Sequence, residues 1–227
     1  MTCDTAFAPN LMDIHRASSE LADAAPADIL RWAADRFGDD LVVTASFGDA
    51  TLVHLAATTI PGVEIALIDT GYLFAETLWY AERLRSMLDL NLTIIKPRLQ
   101  ASDADRWQHD PDGCCGVRKV EPLNRALEGR AAWASGLRRS DSAARATAPI
   151  ISYDLERRIT KINPLASMSD DDVERYHRVN DLPHNPLTDR GYPSIGCWPC
   201  TRPVQPGDDA RAGRWADTEK TECGLHL

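Results

Sequence analysis

A short apolar run, a turn of small polar residues and a helical pattern follow one another twice in this chain. That alternation restricts its fold more than any other feature. Leu41 to Ala45 suits a strand buried on both faces. Ser46-Phe47-Gly48 then turns the chain into a helical pattern through Leu52, Leu55 and Ala56, which Pro61-Gly62 ends. Val63 to Ile68 repeats the strand, Asp69-Thr70-Gly71 the turn, and Phe74 to Leu88 the helix. Leu92 to Ile95 is a third strand, and Trp133 to Gly136 and Ile150 to Tyr153 are weaker ones. Strands alternating with helices predict an α/β fold with a mainly parallel sheet flanked by helices. Such sheets bind ligands beyond the carboxyl ends of their strands, where both turns fall.

On either side of this core the pattern changes. Residues 1–26 are polar and alanine-rich with no clear period, which predicts a loosely ordered N-terminal segment. Ala27 to Phe37 reads as a helix, with Pro26 before it, Ile29, Leu30, Ala33 and Phe37 at helical spacing, and Gly38 as its stop. Ser169 is a good N-cap for a helix reaching about Val179, with Asp170, Asp171 and Asp172 suiting its first turn. Beyond it, prolines and glycines from Pro183 to Gly207 exclude long regular elements. The expected organisation is an α/β domain over 27–190 and a loop-rich C-terminal tail over 191–227.

The chain has 227 residues, enough for one sizeable core, with ordinary hydrophobic (44%) and charged (26%) fractions that argue against wholesale disorder. No apolar stretch approaches the roughly 20 residues of a membrane helix. The N-terminus carries no secretory pattern, so a cytoplasmic protein without membrane contact is expected. A net charge of −9 argues against binding nucleic acid by backbone attraction. An anionic small substrate remains compatible, because the cations are grouped: Arg138, Arg139 and Arg145 in one stretch, Arg202, Arg211 and Arg214 in another.

Six cysteines in a cytosolic protein point to metal ligands or redox-active thiols rather than structural disulfides. Cys114, Cys115, Cys197 and Cys200 form a set of four, with glycines and a proline beside them that a buried unliganded thiol would not need. Their spacing alone leaves zinc and an iron–sulfur cluster both open. Cys223 stands near the terminus, with Lys220 and His226 able to supply positive potential to a thiolate; alone, it also reads as an incidental exposed thiol. Cys3 is isolated in the N-terminal segment. The Ser46-Phe47-Gly48-Asp49 turn offers a hydroxyl and backbone N–H groups to an anion but lacks Gly-Lys-Ser/Thr, and Arg138-Arg139 could clamp oxyanions or merely face solvent.

Taken together, the motifs resemble one family. They are Leu67-Ile68-Asp69-Thr70-Gly71-Tyr72 with Phe74, Glu76 and Thr77; Cys114-Cys115-Gly116-Val117-Arg118-Lys119-Val120-Glu121-Pro122-Leu123; Gly136-Leu137-Arg138-Arg139 with Ser142 and Arg145; Lys161-Ile162-Asn163-Pro164-Leu165; Gly191-Tyr192-Pro193-Ser194-Ile195-Gly196-Cys197 with Pro199-Cys200-Thr201; Gly213-Arg214-Trp215; and Lys220-Thr221-Glu222-Cys223-Gly224-Leu225-His226. In this order, over residues 28–227, they are similar to the assimilatory adenylyl-sulfate (APS) reductases of the APS/PAPS reductase family.

The resemblance implies an adenine nucleotide alpha-hydrolase-like sheet and a [4Fe–4S] cluster on Cys114, Cys115, Cys197 and Cys200. It implies Cys223 as nucleophile, and Ser46, Lys119, Arg139, Arg211, Arg214 and His226 around the substrate, with Arg138 and Arg145 structural. The implied reaction converts adenosine 5′-phosphosulfate to sulfite and AMP through an S-sulfocysteine, with thioredoxin or a similar dithiol as reductant, in sulfate assimilation. A tail broken by glycine and proline would act as a lid. The 3′-phosphorylated substrate, PAPS, is the alternative within the family. Outside it stand a non-catalytic zinc-binding module and an ATP-pyrophosphatase-type tRNA thiolase, which would need a glycine-rich pyrophosphate loop. Oligomeric state, a homo-oligomer included, is left open.

Overall fold

The computed structural model describes residues 11–216 and 220–225. Helices α1 (Leu11–Glu20) and α2 (Pro26–Phe37) precede strand β1 (Leu41–Thr44), helix α3 (Thr51–Thr59) and strand β2 (Glu64–Ile68). Helix α4 (Ala75–Leu88), strand β3 (Asn91–Ile95), helix α5 (Pro111–Cys115) and helix α6 (Glu121–Leu127) follow. Strands β4 (Ala132–Ser135), β5 (Ile151–Asp154) and β6 (Ile159–Ile162) and helix α7 (Asp170–Val179) complete the regular structure. The six strands form one sheet in the order β3-β2-β1-β4-β6-β5, parallel except for β5 at one edge. No helix among the described residues is long and apolar enough to cross a membrane.

Register places the site. Thr44 lies opposite both Ala66 of β2 and Ser135 of β4, so these three central strands end together on one edge. The chain leaves β1 towards β2 on one side and later returns to β4 on the other, which opens a crevice between the loops after β1 and β4. Side chains alternate across the sheet. Val43, Ile65 and Leu67 join the larger core with Ile29 and Leu30 of α2 and Leu84 of α4, while Val42, Ala66 and Trp133 pack with Leu123 and Leu127 of α6. Both faces are covered, as the continuous apolar runs require.

Three sequence expectations change. The segment expected to be loose over 1–26 contains α1, whose Ile14 and Ala17 are buried and whose Ser18 hydroxyl accepts a hydrogen bond from Ile151 N at 3.2 Å. Its apolar stripe is too narrow to announce a helix, and packing against β5 supplies the rest; Cys3 lies outside the described residues. β6 is an additional strand inside the Lys161-Ile162-Asn163 motif, with Thr160 and Lys161 buried among its apolar residues. The tail, irregular as expected, is nonetheless tied down: Trp198 N donates to Tyr72 O at 2.8 Å. Phe47 is buried at φ +55°, a left-handed conformation costly for an aromatic residue, and its carbonyl accepts from Asn185 Nδ2 at 3.0 Å.

Helix α7 begins with a reciprocal cap. Asp172 N donates to Ser169 Oγ at 3.2 Å, and Ser169 N donates to Asp172 Oδ2 at 3.0 Å. Replacing Ser169 by Ala is expected to lower unfolding stability by about 1 kcal/mol, read as a shifted urea midpoint at constant slope.

Candidate active site

A cavity of about 640 Å³ opens at the carboxyl edge of the sheet. Its floor is the β1 loop, with Ser46, Gly48 and Asp49, and the β4 exit, with Ser135, Gly136 and Arg138. Burial pushes the Asp49 carboxyl up, but the His177 imidazole 3.7 Å away and the hydrogen bond from Thr51 N at 2.7 Å outweigh it and hold the group below its usual range. The lining is also cationic, with Lys119, Arg145, Arg211 and Arg214, the first and last two of them beside Trp215, and it includes Cys223.

Trp215 organises the cationic wall. Its ring is buried, and Arg214 lies over it at 4.6 Å, Lys220 at 5.6 Å, Arg211 at 5.9 Å and Lys119 at 6.0 Å. An indole face attracts cations at such distances and gathers like charges that would otherwise spread apart. Arg214 also donates to Ser194 Oγ at 3.2 Å, and Gly196 leaves room for it, since a Cβ there would overlap the guanidinium. Burial and the neighbouring Arg211 lower the Arg214 pKa from its ordinary value, yet a guanidinium stays charged.

Behind Lys119 and Trp215, which line both spaces, lies a second, smaller cavity walled by Cys114, Cys115, Cys197 and Cys200. Local structure explains how two adjacent cysteines both reach it. Asp110 caps α5 by accepting from Gly113 N at 2.8 Å, and Pro111 fits the first turn. Neighbours on a helix point about 100° apart, and the two thiols feel different surroundings, Cys114 mainly Arg118, and Cys115 mainly Lys119 and Lys220. A π-helical turn over Gly116–Val120 then places Arg118 and Lys119 against the thiols. The other pair is docked on the β2 exit: Trp198 N donates to Tyr72 O at 2.8 Å, and Thr70 Oγ1 lies 3.3 Å from Cys197 Sγ.

The five described cysteines are all free thiols. Burial pushes Cys114 and Cys200 up, and Cys115 up to about 11, so as bare thiols they stay protonated near neutral pH. The Lys119 pKa is raised as well: burial lowers it, but negative charge at Cys197 and Cys223 outweighs that, and it stays an ammonium. An all-sulfur donor set with two cations behind it matches the chemistry of a cluster held by four thiolates. Among the described residues, no group of three or more His, Cys, Asp or Glu side chains is arranged to hold a metal ion. The fit is therefore one of donor chemistry and shared cavity, not of ready ligand geometry.

The sequence-predicted residues fall into three groups. Ser46, Lys119, Arg211, Arg214 and Cys223 meet at the large cavity, and the four other cysteines share the small one. Arg139 does not line the large cavity; its Nε donates to Ala148 O at 2.8 Å, whereas Arg138 and Arg145, expected to be structural, do line it. Neighbouring side chains in an irregular loop diverge, and only the path of the loop decides which one faces inward. His226 lies outside the described residues. Two contributors were not singled out from the sequence. Trp215 had a signal in its flanking Arg211 and Arg214. Arg118, buried and stacked 3.9 Å from the Tyr72 ring while donating to Thr70 O at 2.8 Å, had only its place beside the cysteines.

Comparison with known proteins gives this geometry its relatives. Residues 40–203 match the phosphoadenosine phosphosulfate reductase domain. The chain belongs to that family. It is 46% identical to an adenosine 5′-phosphosulfate reductase of Streptomyces coelicolor and 43% identical to one of Mycolicibacterium smegmatis, each match covering 93% of this chain and 92% of the relative. A phosphoadenylyl-sulfate reductase structure from Candida auris, in complex with phosphate, is 29% identical, with a TM-score of 0.74 over 86% of this chain and 98% of that one.

Gly196→Ala tests the cationic wall. Displacing Arg214 is expected to weaken binding of inorganic phosphate by about tenfold or more in calorimetric titration, the loss of one charge-assisted contact. Unchanged affinity would mean that Arg214 does not serve the anion.

Proposed function

We propose that the chain is an adenylyl-sulfate reductase of sulfate assimilation, which converts adenosine 5′-phosphosulfate to sulfite and AMP with electrons from a dithiol. The observation that carries this reading is the meeting of Cys223 with Lys119, Arg211 and Arg214 at one wall of a cavity at the sheet's carboxyl edge. The names borne by relatives of 40–46% identity over nearly the whole chain support APS over its 3′-phosphorylated form.

The chemistry follows from the charges. Phosphate, sulfonate and thiolate must approach one another, and fixed cations in a partly enclosed site offset their repulsion. The Cys223 thiolate attacks the sulfonate sulfur. The bond from that sulfur to the bridging phosphate oxygen breaks, AMP leaves with the electron pair, and the enzyme carries Cys223 as S-sulfocysteine. A thioredoxin-type dithiol then attacks Cys223 Sγ. Sulfite departs, and the second thiol resolves the mixed disulfide and restores Cys223. The dithiol thus supplies both electrons. Lys119, at the junction of the two cavities, would contact the sulfonate, while Arg211 and Arg214 would hold phosphate oxygens. Cys114, Cys115, Cys197 and Cys200 would hold a [4Fe–4S] cluster, which when bound supplies electrostatic and structural support. The enzyme would work in the cytoplasm.

Anaerobically purified protein mixed with ³⁵S-labelled APS, without reductant, is expected to carry label on Cys223 and to release it as sulfite on addition of thioredoxin. Cys223→Ser should take none. Preferential labelling by PAPS would reassign the substrate, and label elsewhere would remove Cys223 from its role. The same preparation should be brown and contain iron. Cys197→Ser should lose both, and zinc in their place would overturn the cluster.

A further inference from the structure

A nucleophile in an irregular terminal segment needs something to hold it at the cavity. Glu222, the residue before Cys223, is only 9% exposed, which is rare for a glutamate without a partner. Its carboxylate receives Arg145 as a fork: Nε donates to Oε1 at 2.9 Å and Nη2 to Oε2 at 2.7 Å. Ser142 Oγ donates to Oε1 at 3.0 Å, and Arg211 Nη2 lies 3.4 Å from Oε2 while donating to the Thr221 carbonyl at 2.9 Å. The anchor is itself braced. Arg145 pairs with Asp141 at 2.9 Å, Asp141 with Arg138 at 3.0 Å, and Arg138 with Asp170 at the start of α7 at 2.7 Å.

We propose that Glu222 is a positioning residue: its carboxylate, seated on Arg145 and Ser142, docks the tail and holds Cys223 in the cationic wall for sulfur transfer. Release of that contact then exposes the modified thiol to the reductant. The inference rests on the reading of Cys223 as nucleophile. A general-base role for Glu222 does not suit the geometry, because both oxygens are occupied by donors. The contact also fixes the direction of the tail. Arg145 is a planar fork, and only a carboxylate presented edge-on satisfies both of its nitrogens.

The test uses the anaerobic, full-length holoenzyme as wild type, Glu222→Ala and Glu222→Gln. Three rates are read: alkylation of Cys223 by iodoacetamide without substrate, mapped by mass spectrometry; single-turnover labelling by ³⁵S-APS; and sulfite release from pre-labelled enzyme by dithiothreitol. The alanine variant is expected to alkylate about tenfold faster and label about tenfold slower, since loss of position costs rate by such factors, while release is unchanged or faster. Glutamine keeps the shape and part of the bonding and should fall between. Alkylation and labelling at wild-type rates in either folded variant would overturn the proposal, as would equal slowing of labelling and release. Should wild type itself take no label, the proposed reaction fails, and the alkylation ratio still decides whether Glu222 docks the tail.

Discussion

The arrangement depends on concentrating positive charge in a protein whose net charge is −9. Four cations surround one buried indole, and three of them, Lys119, Arg211 and Arg214, also line the large cavity. Without a neutral platform such a group would repel itself and collapse towards the nearest carboxylates. Trp215 gives each cation a favourable face, and the two side walls limit escape: Lys119 comes from the π-helical turn and the arginines from the tail. Electrostatic work is thus done when the protein folds, before any anion arrives, which is the condition for fixed charge to help a reaction between like-charged groups.

That wall is built from two distant stretches, so its integrity depends on how the tail is fastened. The fastening has several parts. Thr201 and Arg214 pair as an isolated bridge, Trp215 N donates to Cys200 O at 3.0 Å, and Arg202 N donates to Gly213 O at 2.9 Å. Lys220 reaches Asp112 at the start of α5, and Glu222 reaches Arg145. The contact of Arg145 with Glu222 is shielded, with both side chains at most 12% exposed, and breaking such a pair leaves a buried charge at a cost of about 3–5 kcal/mol. Most of these contacts are single hydrogen bonds worth far less. A segment held in this way stays closed at rest but can open by local unfolding without disturbing the sheet.

Legibility in the sequence followed the range of the forces involved. β1, β2 and α4 were readable because burial on both faces of a parallel strand writes a continuous apolar run, and a packed helix writes a period of 3.6. β6 was not, because Thr160 and Lys161 interrupt its run; they are buried nonetheless, Lys161 at 5.0 Å from the Trp133 ring. α1 was not, because two buried residues make too narrow a stripe. In the site, Cys114, Cys115, Cys197 and Cys200 could be gathered from spacing, since few other patterns of thiols make sense. Arg139 could not be told from Arg138 and Arg145, for a loop carries no period from which to read direction. Glu222 gave no signal of its own, because its partner lies 77 positions away.

The charge chain from Glu222 to Asp170 has a consequence for how the two ends of the cavity communicate. Arg138 lines the cavity floor, and Arg145 lines it near the tail; Asp141 bridges them. An oxyanion entering beside either arginine competes with a carboxylate already there. If it draws Arg145 from Glu222, the tail loosens; if it draws Arg138 from Asp141, that carboxylate is left to Arg145 alone and weakens its hold on Glu222. Either way substrate and tail act through one shared set of ion pairs, and coupling of this kind is reciprocal. A docked tail engages Arg145 and Arg211 through Glu222, and leaves Lys119 and Arg214 without a carboxylate ion pair among the described residues. The same carboxylates that make the loop look structural thereby favour an oxyanion at Lys119 and Arg214 over one at the arginine loop.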